Sequence, residues 1–86
     1  MSLLSTGKLG FVLTAVGVAH FAAPDVFEQI TKPVFPENTA EWVVRNGATE
    51  AAIGAAMMIK RTRKLGVLAL LGYAGWLGYT AVDATR

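Results

Sequence analysis

Not one cysteine occurs in the 86 residues. That excludes disulfide bonds, thiolate-held iron–sulfur clusters and thiol nucleophiles. A single histidine, His20, excludes a His-rich metal cage and a bis-His haem within one chain, so no metal site is expected. Charge is scarce as well. Asp, Glu, Lys and Arg supply 16% of the chain, against about 25% in a typical soluble domain. No catalytic motif is recognisable. What fills the chain instead is apolar: 53% of the residues are hydrophobic. So short a chain buries only about 60–65% of its unfolded surface in water, too little to enclose that much apolar material. A bilayer removes the difficulty by serving as the solvent. The fold expected is all-α: one membrane-embedded bundle of three transmembrane helices, with a short interfacial segment between the first two.

The first apolar run, Leu9 to Ala23, carries no formal charge apart from a protonated His20. With the Met1–Leu4 flank it reaches spanning length, as a helix over about 5–23. Lys8 before the run and Ala22-Ala23 after it imitate a signal peptide. The run continues into Pro24, a poor residue after a cut, so the segment is read as one that stays in the membrane. Pro24 ends this helix because it has no amide hydrogen to donate. Residues 24–38 form an interfacial connection with all three prolines, Pro24, Pro33 and Pro36. Asp25 and Glu28 resemble a capping box and predict a turn or two of helix over 25–30. Val26, Phe27 and Ile30 would lie on the membrane surface, with Phe35 dipping toward lipid. Asn38 and Glu41 repeat the signature and open a second long helix over about 39–59. A basic loop, 60–64, follows. The third helix, over about 65–82, has no charge at all and reaches about 27 Å, enough to span.

Lys60, Arg61, Arg63 and Lys64 concentrate four cations in the second connection, whereas Asp25, Glu28, Glu37 and Glu41 oppose Lys32 alone around the first. By the positive-inside rule the 60–64 loop and the N-terminus are cytoplasmic, and the 24–38 loop and C-terminus lie outside, in a cell (inner or plasma) membrane. Trp42, Trp76 and Tyr79 then fall near the outer boundary as an aromatic belt. The cations contact lipid headgroups. No aromatic residue alternates with them for base stacking, so no nucleic-acid partner is expected.

Glu50 lies about 15 Å along its helix from Lys60, near mid-bilayer. A carboxylate there should face protein or a wet cavity and have a partner. Asn46, Gly47, Gly54 and Met57 share its face at helical spacing. His20 reaches a similar depth from the first helix, with Gly10, Thr14 and Gly17 on its face, and Tyr73 does so from the third. The expectation is an intramembrane cluster of His20, Glu50 and Tyr73, with a hydrogen bond or ion pair between the first two. A purely structural role in helix packing ranks ahead of a ligand or proton site. Arg45 is matched to Glu41, its i,i+4 neighbour. Small residues mark close helix approach: Gly17 on the first helix, Gly47, Ala51, Gly54 and Ala55 on the second, and Gly72, Gly75 and Gly78 on the third.

The order Gly17-Val18-Ala19-His20-Phe21, Pro24-Asp25, Gly47-x-x-Glu50-x-x-x-Gly54 and Arg61-Thr62-Arg63-Lys64-Leu65-Gly66 resembles DoxX-like small integral membrane proteins over roughly residues 7 to 72. That family is usually a four-helix unit, and this chain shows three long helices. The resemblance implies a membrane subunit tied to oxidoreductase or quinone-linked systems, with His20 and Glu50 at the matching polar positions. The missing helix favours a helper role over an independent cofactor pocket. Three functions follow, in order. The first is an accessory or anchoring subunit of a larger membrane complex, of respiratory or redox type, without catalytic activity of its own. The second is a quinone- or haem-associated redox component. The third is a self-assembling, small transporter-like protein. The partners expected are the bilayer and either other membrane subunits or copies of this chain.

Overall fold

The computed structural model describes residues 5–86 and is all-helical. Four helices follow one another: α1 (Thr6–Ala22), α2 (Pro24–Thr31), α3 (Thr39–Met58) and α4 (Arg63–Ala84). The expected Met1–Leu4 flank of the first helix lies outside the described residues. The molecule measures 39 × 28 × 22 Å.

Ser5 caps α1, accepting the Lys8 amide hydrogen on its side-chain oxygen. At the other end the chain turns sharply, and the axes of α1 and α2 make an angle of 103°. Pro24 explains the corner. It cannot extend α1, but its fixed φ suits the first position of a new helix. The capping box expected here is absent. Ala23 is the N-cap and makes no side-chain bond, while Asp25 sits in the first turn, where its charge complements the helix dipole. The expected turn or two is a helix of eight residues.

The Asn38–Glu41 signature also works differently from expectation. Asn38 has φ 57° and ψ 38°, a left-handed conformation that Asn tolerates better than most residues. Its side chain caps nothing. Thr39 instead donates its hydroxyl to the Phe35 carbonyl at 2.7 Å and fastens the loop to the start of α3.

The basic connection is shorter than 60–64, because Arg63 and Lys64 belong to the first turn of α4. Cations are unfavourable at a helix N-terminus. Arg63 escapes this by reaching back: its Nε donates to the Met57 carbonyl at 2.8 Å and a terminal nitrogen donates to the Met58 carbonyl at 3.3 Å. Those oxygens have no partner within α3, so Arg63 closes the end of one helix while starting the next. Thr62 adds a bond from its hydroxyl to the Ala56 carbonyl at 2.7 Å.

α1 and α3 pack with backbone nearly touching backbone. A Cβ placed on Gly17 would lie 2.5 Å from the Ala51 nitrogen and 2.6 Å from the Gly47 oxygen. Gly54 meets the Gly10 carbonyl equally closely. Only glycine fits such an approach, the small-residue geometry of helix pairs in membranes. Ala55 stands apart from this seam and is exposed, so the small series on α3 runs Gly47, Ala51, Gly54. α4 joins more loosely, through Gly66, Leu70, Tyr73, Leu77 and Ala81, a stripe at helical period. Gly72, Gly75 and Gly78 face away, with nothing within 4 Å.

The hydrophobic core is slight. Among the described residues only Phe35, Val43, Ile53 and Met57 are buried hydrophobic side chains. Among the described residues, α4 alone of the three expected spans is both long and apolar enough to cross a membrane, and α1 passes only when taken together with α2 as one bent span. α1 is 17 residues long, and α3 carries Glu41, Arg45 and Glu50.

Candidate functional site

All three polar residues singled out in the sequence converge. Tyr73 on α4 donates its hydroxyl to Glu50 Oε2 at 2.7 Å. His20 Nε2 on α1 lies 3.9 Å from the same oxygen. That is near enough for charge attraction and too far for a hydrogen bond, so of the two contacts expected between His20 and Glu50 only the ionic one fits. The other imidazole nitrogen, Nδ1, is 2.8 Å from the Val16 carbonyl oxygen. A carbonyl only accepts, so Nδ1 carries a hydrogen and donates it. In neutral His20, therefore, Nε2 presents a bare lone pair toward Glu50.

Local packing fixes these positions. His20 is buried over Gly47, whose missing side chain leaves room for the imidazole; a Cβ on Gly47 would lie 2.5 Å from His20 Cβ. Phe27 on α2 stacks on the imidazole with ring centroids 3.8 Å apart and planes at 23°. The Pro24 corner therefore has a consequence at the site: it folds α2 back so that Phe27 covers His20. This differs from the expectation that Phe27 rests on the membrane surface. Phe35, expected to dip into lipid, is buried and stacks on Trp42 at 4.4 Å. Trp76 adds a third ring 5.8 Å from Phe35 and 5.7 Å from Trp42. The two tryptophans expected in a belt thus hold the 32–38 loop against α3 and α4. Tyr79 remains outward and exposed.

Beside the cluster lies a cavity of about 330 Å³, bounded by all four helices and the loop after α2. Most of its wall is apolar, including Val16, Phe27, Ile30, Val34, Phe35 and Leu77. His20, Glu50, Tyr73, Asn46 and Thr31 supply the polar groups. Sequence reading placed Asn46 on the face of Glu50 but gave it no role, and it missed Thr31 altogether. A polar residue four positions before Glu50, on the same helix face, was the available signal for Asn46. Thr31 carried none, since its place depends on the corner at Pro24. The basic residues lie away from the cavity. Arg63 is tied to α3, and Lys60, Arg61 and Lys64 are not in its wall. Glu41 and Arg45 pair at 3.4 Å on the surface, with the guanidinium 5.1 Å from the centre of the Trp42 ring. Among the described residues no group of three or more His, Cys, Asp or Glu side chains is placed to hold a metal ion.

Removing the Tyr73 hydroxyl tests how firmly α4 is attached here. Tyr73→Phe is expected to cost about 1 kcal/mol, at the low end for a hydrogen bond to a carboxylate because the tyrosine is only half-buried. An unfolding titration followed by circular dichroism measures it. An unchanged midpoint would mean that the Tyr73–Glu50 bond does not help to hold α4.

Fold and site together define a small all-helical protein with a backbone-tight helix pair, a polar cluster of three side chains and an apolar cavity beside it. The chain belongs to the family described as Domain of unknown function (DUF8561), whose model matches residues 9–83. No curated protein and no solved structure matches it.

Proposed function

We propose that this protein is a small integral membrane protein that serves as an accessory or anchoring subunit, presenting α4 to a larger membrane assembly. One observation carries the reading: the apolar surface of the molecule points outward. On α4, Leu65 and Tyr79 are each 67% exposed, and Leu68 and Leu71 each 64%. Only 6% of its apolar window is buried, which is unlike the core helix of a soluble protein. Phe11, Val18 and Phe21 continue the apolar exterior on α1. An apolar face of this extent is a liability in water and ordinary in hydrocarbon. α1 and α3 accompany α4 through the bilayer, the polar groups of α3 turning toward the Glu50 cluster and the outer boundary. The cations around residues 60–64 hold that end in the cytoplasm and leave the 24–38 loop outside.

The glycines at 72, 75 and 78 lie on the uncovered side of α4 and permit a second helix to approach closely. Solubilisation of native membranes in a mild detergent is expected to yield this chain together with larger membrane subunits. Gly75→Leu is expected to release it from them while leaving its own helicity unchanged. A solitary, monodisperse chain from native membranes would refute the subunit role, and a complex containing only copies of itself would replace it with self-assembly. The cavity supports a second reading, a ligand-binding membrane component. The DoxX-like pattern around His20 and Glu50 points that reading toward a redox or quinone-linked system.

A further inference from the structure

We propose that the cavity beside Glu50 is a binding site for a small lipophilic ammonium ion, that is, an amine bearing an aromatic or short alkyl group. The proposal rests on the ligand-binding reading of the cavity and is independent of whether α4 recruits a partner.

Charge comes first. The cavity wall contains one carboxylate, Glu50, and neither lysine nor arginine. Lys32 lines a separate groove with Asp25 and Glu28. His20 is the one cationic candidate in the wall, and in its neutral form it leaves the carboxylate uncompensated. A buried carboxylate in apolar surroundings favours a counter-charge over an empty space.

Hydrogen-bonding capacity points the same way. The His20 Nδ1 hydrogen is committed to the Val16 carbonyl, and the Tyr73 hydroxyl hydrogen to Glu50. With His20 neutral, the cluster turns acceptors toward the cavity: His20 Nε2, the carboxylate oxygens and the Tyr73 oxygen. The 3.9 Å gap between Nε2 and Oε2 is too long for a direct bond, but a single donor group with two hydrogens can bridge it. An ammonium group has that form. A quinone, whose two oxygens only accept, would meet acceptors at the cluster and find donors only at Asn46 and Thr31.

Two further groups are unspent. Asn46 is 7% exposed and Thr31 9%, and both line the cavity. Among the described residues neither side chain makes a hydrogen bond to another protein group. Polar side chains this deeply buried usually have partners. Finally, Phe27, Phe35 and Tyr73 put aromatic rings in the wall, and ring faces attract cations. The volume suits a ligand with one ring.

The test uses the whole chain in lipid nanodiscs and two probes of matched shape, 2-phenylethylamine, charged at neutral pH, and 2-phenylethanol, uncharged. Calorimetry is expected to give at least about tenfold tighter binding of the amine. Glu50→Gln should erase that preference, with the alcohol changed by less than about threefold. Leu77→Trp narrows the cavity from α4 while leaving the residues of the polar cluster unsubstituted and should weaken both probes. It serves as the second variant if Glu50→Gln fails to fold, as circular dichroism would reveal. Equal binding of amine and alcohol, or an amine affinity untouched by Glu50→Gln in a folded protein, would overturn the proposal. So would tighter binding of menadione, an acceptor-only naphthoquinone, which would assign the cavity to the redox reading. Binding of neither amine nor quinone by the folded chain would remove the ligand-binding reading as a whole.

Discussion

Gly17→Leu is expected to abolish the pairing of α1 with α3 and, with it, the His20–Glu50–Tyr73 cluster. The atoms a side chain would meet at this position are the Ala51 nitrogen and Cα and the Gly47 oxygen, all backbone. A side-chain neighbour can change rotamer; a helix backbone can yield only by moving the whole helix. Overpacking a well-packed site by a methyl group already costs about 1–3 kcal/mol, and leucine adds three more carbons in the same direction. Gly54→Leu should behave alike, because its neighbours include the Gly10 carbonyl and the Thr14 backbone nitrogen. The contrasting case is Gly75→Ala. Nothing stands within 4 Å of it, and alanine is the better helix former, so the isolated chain should gain about 0.5–1 kcal/mol. Helicity and the midpoint of an SDS titration measure all three. A Gly17→Leu variant with the wild-type midpoint would show that the helices are not seated backbone to backbone.

The second large effect concerns orientation. Under the membrane reading, replacing Lys60, Arg61 and Lys64 with glutamine while adding lysines at residues 28, 29 and 37 should invert the protein in the bilayer. The K/R bias between the two connections would then be reversed. Arg63 is left in place because it bonds the carbonyls at the end of α3, and its loss would confound topology with stability. Absence of cysteine makes the measurement direct, since a single introduced cysteine at residue 61 or 37 is the only thiol in the chain. Impermeant maleimide applied to intact cells should label residue 37 in the parent and residue 61 in the charge-swapped variant. Labelling that ignores the swap would mean that something other than these cations sets the orientation.

The long helices and the polar cluster were legible in the sequence because each depends on spacing along one helix. Counting residues from Lys8 and Lys60 put His20 and Glu50 at matching depth, and their side chains lie 3.9 Å apart. The seam around Gly17, Gly47 and Gly54 followed from the same periodicity. What depends on the chain's path between helices was not legible. Pro24 signalled an end to α1, but nothing local signalled the 103° corner that folds Phe27 onto His20. Phe35 looked like a residue for lipid because its partners, Trp42 and Trp76, come from two other elements. Both capping boxes misled for one reason. A pattern of residue types gives the possibility of a side-chain bond, and at Asp25 the proline before it had already settled where the helix starts. The glycines of α4 had the spacing of a packing face, yet within the chain they pack against nothing.

The unequal grip of the two interfaces has a mechanical consequence. α1 and α3 are seated too closely to slide past one another, so together they form a rigid block. α4 is fastened at its start by Arg63 and Thr62 and farther along by one hydroxyl and a stripe of small and aliphatic side chains. If either interface yields, α4 is therefore expected to move about the Ile59–Thr62 joint before α1 and α3 part. On the ligand-binding reading, an outward swing of α4 that widened the chamber would have to break the Tyr73–Glu50 bond.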